Sequence, residues 1–262
     1  MDLSLIQVPY DSGHRDYRTG AGPAYLVDGG VRDKLDSLGH GLEEVTIEAS
    51  ITPTTEVATA FDLYRQLAAV VRDATSRDRV PLVFAGNCNC VVGTIGGLSG
   101  ELALAFFDAH GDFNTPETTS TGFLDGMGLA MATGRCWKAM AETIEGFEPI
   151  REARAIQIGG RDLDPLEKDA LEESDATWLT VDEVRRGATE SVFSWLSWEV
   201  PKPAVYVHVD MDVIDPKEAR ANRLATPGGL GVDELVGIVE RIRDGFEVPA
   251  LSVASVEPDG DE

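Results

Sequence analysis

A chain of 262 residues with a formal net charge of −24 repels polyanions, which argues against nucleic acid as a partner. The same negative field suits solubility and the approach of a cationic small molecule. Three cysteines cannot staple a chain this long, no apolar run approaches the roughly 18–20 residues of a membrane span, and the opening MDLSLIQVPYD lacks the parts of a secretory signal. With no Pro/Ser-rich linker to divide it, the chain reads as one domain over residues 1–262, cytoplasmic and without membrane contact.

Leu3–Val8 reads as a first strand. In the loop PYDSGHRDYRTGAG that follows, His14 could reach a pocket mouth, and Pro23 then suits the first turn of a helix running to about Leu38, capped by Gly39. His40 reads as a surface residue. Leu42–Ile47 is a second strand, and Phe61, Tyr64, Leu67 and Val71 mark the apolar face of an amphipathic helix from about Glu56 to Asp73. Pro81–Ala85 is a third strand, after which Gly86-Asn87-Cys88-Asn89-Cys90 opens a helix. Further strands are expected at Leu102–Phe107, Ala153–Ile158, Ala176–Leu179, Ala204–Val209 and Ala250–Val256, with a helix at Asp233–Arg243. This alternation predicts an α/β fold with a mostly parallel, doubly wound eight-stranded sheet and helices on both faces. A closed eight-stranded barrel is the rival arrangement, but acidic clusters follow only some strands, as at the crevice of an open sheet.

Four strand ends are chemically loaded. The third carries Asn87-Cys88-Asn89-Cys90, the fourth Asp108, His110 and Asp112, the seventh Asp210 and Asp212, and the last Glu257. Carboxylates crowded together repel one another unless a cation neutralises them, so a metal is the economical explanation. In Tyr206-Val-His208-Val-Asp210-Met-Asp212 the polar residues recur at every second position, which would put His208, Asp210 and Asp212 on one face of a strand. His208 is read as a hydrogen-bonded neighbour of the ligands, and Cys88 and Cys90 as small buried groups.

Asp108-Ala-His110-Gly-Asp112-Phe-Asn114-Thr-Pro116, with the later Asp210-Met-Asp212-Val-Ile-Asp215-Pro216, Gly228-Gly-Leu230 and Ile158-Gly-Gly-Arg161-Asp162-Leu-Asp164-Pro165, resembles the ureohydrolase family of arginases and agmatinases over nearly the whole chain. The Thr-rich continuation after Asn114 is closer to the arginase branch. The resemblance implies a three-layer α/β/α fold, a homo-oligomer, and two manganese ions bridged by a hydroxide. By this correspondence Asp108 and Asp210 bridge both ions, His110 and Asp212 complete one, and Asp112 belongs to the other. Glu257 matches the acidic residue that receives a guanidinium group, while Asn114, Thr121 and Asp164 match positions near the amino-acid end of the substrate.

The departures are as informative. Asn89 stands at the expected histidine ligand, which predicts one weak metal position. Asp125 stands at the proton-shuttling histidine, and a carboxylate with an ordinary pKa of about 3.9 is mostly ionised at neutral pH unless its surroundings raise that value. Leu224 replaces a threonine near the guanidinium, and the chain stops soon after Glu257, before the last helix expected of the family. The implied activity is hydrolysis of a linear guanidino or N-hydroxyguanidino compound, the latter relaxing the demand for an external acid. A formimino or other amidine substrate, or a non-catalytic binding role, are the alternatives.

Overall fold

The structure, a computed structural model, describes residues 1–50 and 55–258. The last residues, where the sequence reading expects the family's closing helix to be missing, lie outside the described residues. Strands β1 (Asp2–Val8), β2 (Gly41–Thr46), β3 (Val80–Ala85), β4 (Leu102–Phe107), β5 (Ala155–Ile158), β6 (Thr177–Leu179), β7 (Ala204–Asp210) and β8 (Leu251–Ala254) form one open sheet in the order β2-β1-β3-β8-β7-β4-β5-β6. Every neighbouring pair is parallel. The barrel alternative is thereby removed, and all eight carboxyl ends lie along one edge. The four chemically loaded strands, β3, β8, β7 and β4, are consecutive at the centre of that edge.

Strand β4 shows why the sheet is covered on both faces. All six of its residues are buried, and the alternation of a strand divides them: Leu104 and Phe106 enter one core, Ala103, Ala105 and Phe107 the other. The first core is closed by the helix Glu56–Ser76, whose N-cap Thr55 accepts a hydrogen bond from the Ala58 N–H. It packs on the helix Val91–Gly97, and the contact is so close that a Cβ on Gly93 would lie 2.9 Å from the Tyr64 Cα. The second core is closed in part by the helix Val232–Gly245, which inserts Leu235, Ile238 and Ile242. Helix, sheet and helix make three layers. Among the described residues no helix is long and apolar enough to cross a membrane.

Several boundaries move. The helix expected from Pro23 to Leu38 is broken into Gly22–Leu26, a π-type turn at Val27–Val31 and Arg32–Ser37, because Gly30 adopts φ 108° inside it. Ala153 and Arg154, expected to begin β5, belong instead to a 3₁₀ turn, Glu152–Arg154. Strand β8 ends at Ala254, not Val256, where Ser255 takes φ 64° and turns the chain away. The loop after β1 holds a short hairpin, Tyr10–Asp11 with His14–Arg15.

Candidate metal centre

The carboxyl edge opens into a cavity of about 510 Å³. His110, Asp112, Asn114, Thr121, Asp125, Asp164, Asp210, Asp212 and Glu257 all line it. Asp108 lies buried beneath them, with ligand atoms of Asp108, His110 and Asp212 all within 4.8 Å of one another. Asn87, from the third strand end, also lines the cavity, as do Asp11, Glu167, Asn222 and Arg223, which were not singled out from the sequence. His14 is exposed and stands outside this lining, edge-on to Tyr17, so Asp11 and not His14 is what the first loop brings to the cavity.

Two buried devices hold the loop after β4. Gln157 donates from Nε2 to the Asp108 and His110 carbonyl oxygens, at 3.0 and 2.6 Å. Glu167 accepts the Phe113 N–H at 2.9 Å and the Asp164 N–H at 3.1 Å, tying the loop to the helix Pro165–Glu172. Strand β7 stops at Asp210, so His208, Asp210 and Asp212 do not share a strand face as the alternation predicted. Asp210 accepts the Asp212 N–H at 2.7 Å across a 3₁₀ turn, Met211–Val213, and that turn swings Asp212 into the cavity. His208 stays in the sheet, fully buried, paired to Ser252 Oγ at 2.7 Å and stacked on Phe106, and burial lowers it to about 3, so it remains neutral.

After the third strand, Asn89 and Cys88 are placed differently with respect to the cavity. Asn89 does not line the cavity; its side chain belongs to a small neighbouring pocket with Tyr64 and Cys90, and only its backbone N–H reaches in, donating to Asp125 at 3.0 Å. Cys88 is the residue of this turn whose side chain lies against the acids. Its Sγ lies 2.8 Å from Asp210 Oδ2, and its sulfur joins two groups of potential ligands, one with Asp108 and Asp210, the other with Asp112 and Asp125. Cys88 is buried in the core as expected but also faces carboxylate oxygen, while Cys90 is packed beside Tyr64.

These acids have too little positive charge around them. Burial first, then the Asp212 charge, raises Asp108 to about 7, and burial with like charges raises Asp112 and Asp210 well above the carboxylate range. Burial alone would lower His110, but hydrogen bonds to Asp108 and Asp212 outweigh it and push the imidazole up to about 12. Burial would likewise raise Asp212, yet the same imidazole holds it at about 2. Asp112 Oδ2 is buried and, among the described residues, has no hydrogen-bond partner. A desolvated, unpaired carboxylate oxygen facing other carboxylates is costly. Divalent cations fit this donor set and remove the cost.

Without metal, Asp108 and Asp125 bind protons more tightly folded than unfolded. Their contribution to stability is full below the ordinary Asp value of 3.8 and is lost as pH rises through about 7 and about 8. His110 acts in the same direction above its ordinary 6.5, and Asp212 is already ionised throughout that range. The thermal midpoint of the metal-free protein is therefore expected to fall between about pH 5 and about pH 8, and the rise on adding Mn²⁺ to grow. A metal-free midpoint that climbs over this range would contradict the uncompensated-charge account.

At the cavity wall, Glu257 is buried and already engaged. Arg223 donates to it from Nε at 3.0 Å, from its backbone N–H at 3.3 Å, and from Nη2. Asp125 accepts from the Asn87 amide at 2.7 Å as well as from Asn89, but burial wins and raises it to about 8. The surroundings of Asp125 thus raise its value, the condition under which the sequence allows it to keep its proton.

The description "Arginase family" matches residues 1–262. An arginase of Bacillus caldovelox is 28% identical over 276 positions, covering 99% of this chain and 92% of the relative. The crystal structure of arginase from Bacillus cereus matches with TM-score 0.89 and 25% identity over 100% of this chain and 93% of that one. The fold is also that of formimidoylglutamase from Bacillus subtilis subsp. subtilis str. 168, with TM-score 0.75 and 22% identity over 100% of this chain and 81% of that one. The chain belongs to the Arginase family and is a hydrolase of carbon–nitrogen bonds in amidino groups.

Proposed function

We propose that this enzyme hydrolyses a linear guanidino or N-hydroxyguanidino compound of the arginine or N-hydroxyarginine type, releasing urea or hydroxyurea and an amine. The observation that carries the reading is the convergence of Asp108, His110, Asp112, Asp210 and Asp212 at the base of one cavity with Glu257 in its wall. Asp108 and Asp210 would serve two divalent ions, His110 and Asp212 completing one and Asp112 belonging to the other, with manganese suited to the oxygen-rich His110 side. When bound, the ions supply a water of lowered pKa and compensate the charge of their ligands.

The chain's own residues do the rest. Glu257 binds the N–H groups of the guanidino end and turns its carbon toward the cavity base. Asn114, Thr121 and Asp164 hold the amino-acid end; Asn114 Nδ2 and Ser120 Oγ already bond to Asp164, at 3.3 and 3.1 Å. Asp125, whose burial favours the protonated form, is the group assigned to give the leaving amine its proton. The cavity volume suits a molecule of amino-acid size. The unpaired thiols of Cys88, Cys90 and Cys136 suit a reducing cytoplasm.

The Arg223–Glu257 pair favours the N-hydroxylated substrate. A fully cationic guanidinium must displace Arg223 to reach Glu257, whereas the electron-withdrawing hydroxyl leaves an N-hydroxyguanidine less basic and less dependent on that exchange. Arg223→Ala is expected to lower KM for arginine by about fivefold or less, since an ion pair with one half-exposed partner is weak, and to change KM for N-hydroxyarginine little. The test of the substrate class is a panel of arginine, N-hydroxyarginine, agmatine and a formimino amino acid, scored for urea, hydroxyurea and formamide. Hydroxyurea from N-hydroxyarginine at the highest kcat/KM is the expected result; formamide release dominating the panel would transfer the enzyme to the formimino class.

A further inference from the structure

We propose that Cys88 is a thiolate ligand of the ion held by Asp108, Asp112 and Asp210, so that this half of the centre takes a softer divalent cation than the half built on His110 and Asp212. The inference rests on the two-ion reading above and assigns the ligand that the third strand contributes to it. Cys88 is only 1% exposed and borders the apolar core, yet its sulfur also meets two oxygens: Asp210 Oδ2 at 2.8 Å and Ser255 Oγ at 3.3 Å. Its ligand groups, with Asp108 and Asp210 and with Asp112 and Asp125, each span no more than 4.8 Å. Two donors on one ion stand at most about the sum of their bonds apart, roughly 4.5 Å for sulfur near 2.3 Å and oxygen near 2.1 Å, so an ion draws these atoms in by only a few tenths of an ångström.

A second observation points to a ligand at the same place. Asp112 Oδ2, in a side chain 6% exposed, lacks a hydrogen-bond partner among the described residues, and Asp112 is grouped with the Cys88 sulfur. An ion between them satisfies both atoms. Ser255 adds support, since its left-handed φ of 64° is uncommon for a residue with a Cβ and its hydroxyl is within reach to donate to a thiolate. Cys90, two residues on, is an internal control: it joins none of the ligand groups among the described residues and lines the small pocket beside Tyr64.

The chemistry of the donor sets differs accordingly. The His110 side offers carboxylate oxygen and one imidazole, which suit manganese, whereas a thiolate shifts preference toward iron(II), cobalt(II) or zinc. Binding through Sγ releases the thiol proton to solvent and leaves a negative charge where an imidazole would leave none. The Cys88 side is therefore not the weak position that an asparagine ligand predicts; it differs in kind.

The experiment loads the full-length wild type with Co²⁺ under anaerobic conditions, with metal content by mass spectrometry and near-ultraviolet absorption as readouts. The expected result is two cobalt ions per chain and a sulfur-to-cobalt charge-transfer band. In Cys88→Ser the band should vanish and affinity for the second ion should drop by about tenfold or more, while Cys90→Ser keeps the band. Two bound ions without a band, or a band surviving in Cys88→Ser, overturns the inference and leaves the two-ion reading standing. A wild type that binds no divalent cation overturns that reading and the inference with it. Cadmium-113 NMR of the wild type, whose resonance moves strongly when sulfur enters the coordination sphere, decides the same question should Cys88→Ser fail to fold.

Discussion

Asp210→Asn is expected to release both metal ions and to cut hydrolysis by at least about a thousandfold, the order lost when a central electrostatic element of an active site is removed. Asp210 sits where the two halves meet. One oxygen faces Cys88 and the other orders the Met211–Val213 turn that delivers Asp212. An amide keeps the volume and removes the charge that both cations need. The same substitution should stabilise the metal-free protein, because Asp210 is buried among like charges that raise its pKa, and neutralising it relieves that repulsion near pH 7. The two effects have opposite signs and separate a lost ligand from a damaged fold. Metal content, kcat and thermal midpoints with and without Mn²⁺ measure them together. Full metal occupancy in Asp210→Asn would remove Asp210 from the centre.

Asp125→Asn should lower kcat on arginine by about a hundredfold or more, the usual contribution of a positioned general acid. KM should change little, and the loss on N-hydroxyarginine should be smaller. Asp125 is well placed for this role: it lines the cavity, is gripped by the Asn87 amide and the Asn89 N–H, and its burial favours the protonated form. An asparagine keeps the shape and can accept one of the two bonds, but it has no acidic proton to give. Asp125→His should recover part of the rate, with the alkaline limb of the kcat profile shifted to follow the new group. An unchanged kcat in Asp125→Asn would make Asp125 a structural partner of the β3 turn.

The parts of this site that the chain alone determined are those written locally. Leu102–Phe107 is too apolar for anything but a strand buried on both faces, and Asp108, His110 and Asp112 follow it so closely that only a cation makes their crowding tolerable. Asp210 and Asp212 were legible for the same reason, although the local alternation misplaced Asp212, because a side-chain-capped turn overrides the strand period. Asn114, Thr121, Asp164 and Glu257 were named by resemblance, and all four line the cavity. What holds them in place was silent: Gln157, Glu167 and Arg223 act on partners 34 to 54 residues away.

Only the tertiary structure decided two things. The first is the sheet order, in which β7 and β8, last in the chain, insert between β3 and β4 and bring four distant strand ends together. The second is which residue of Cys88-Asn89-Cys90 faces the acids. In a 3₁₀ turn successive side chains diverge by roughly 120°, so only one of three can point at the cavity base, which the residue types alone do not reveal. The path of the backbone from β3 into the following helix presents Cys88 to Asp210 and leaves Asn89 and Cys90 lining the small pocket beside Tyr64.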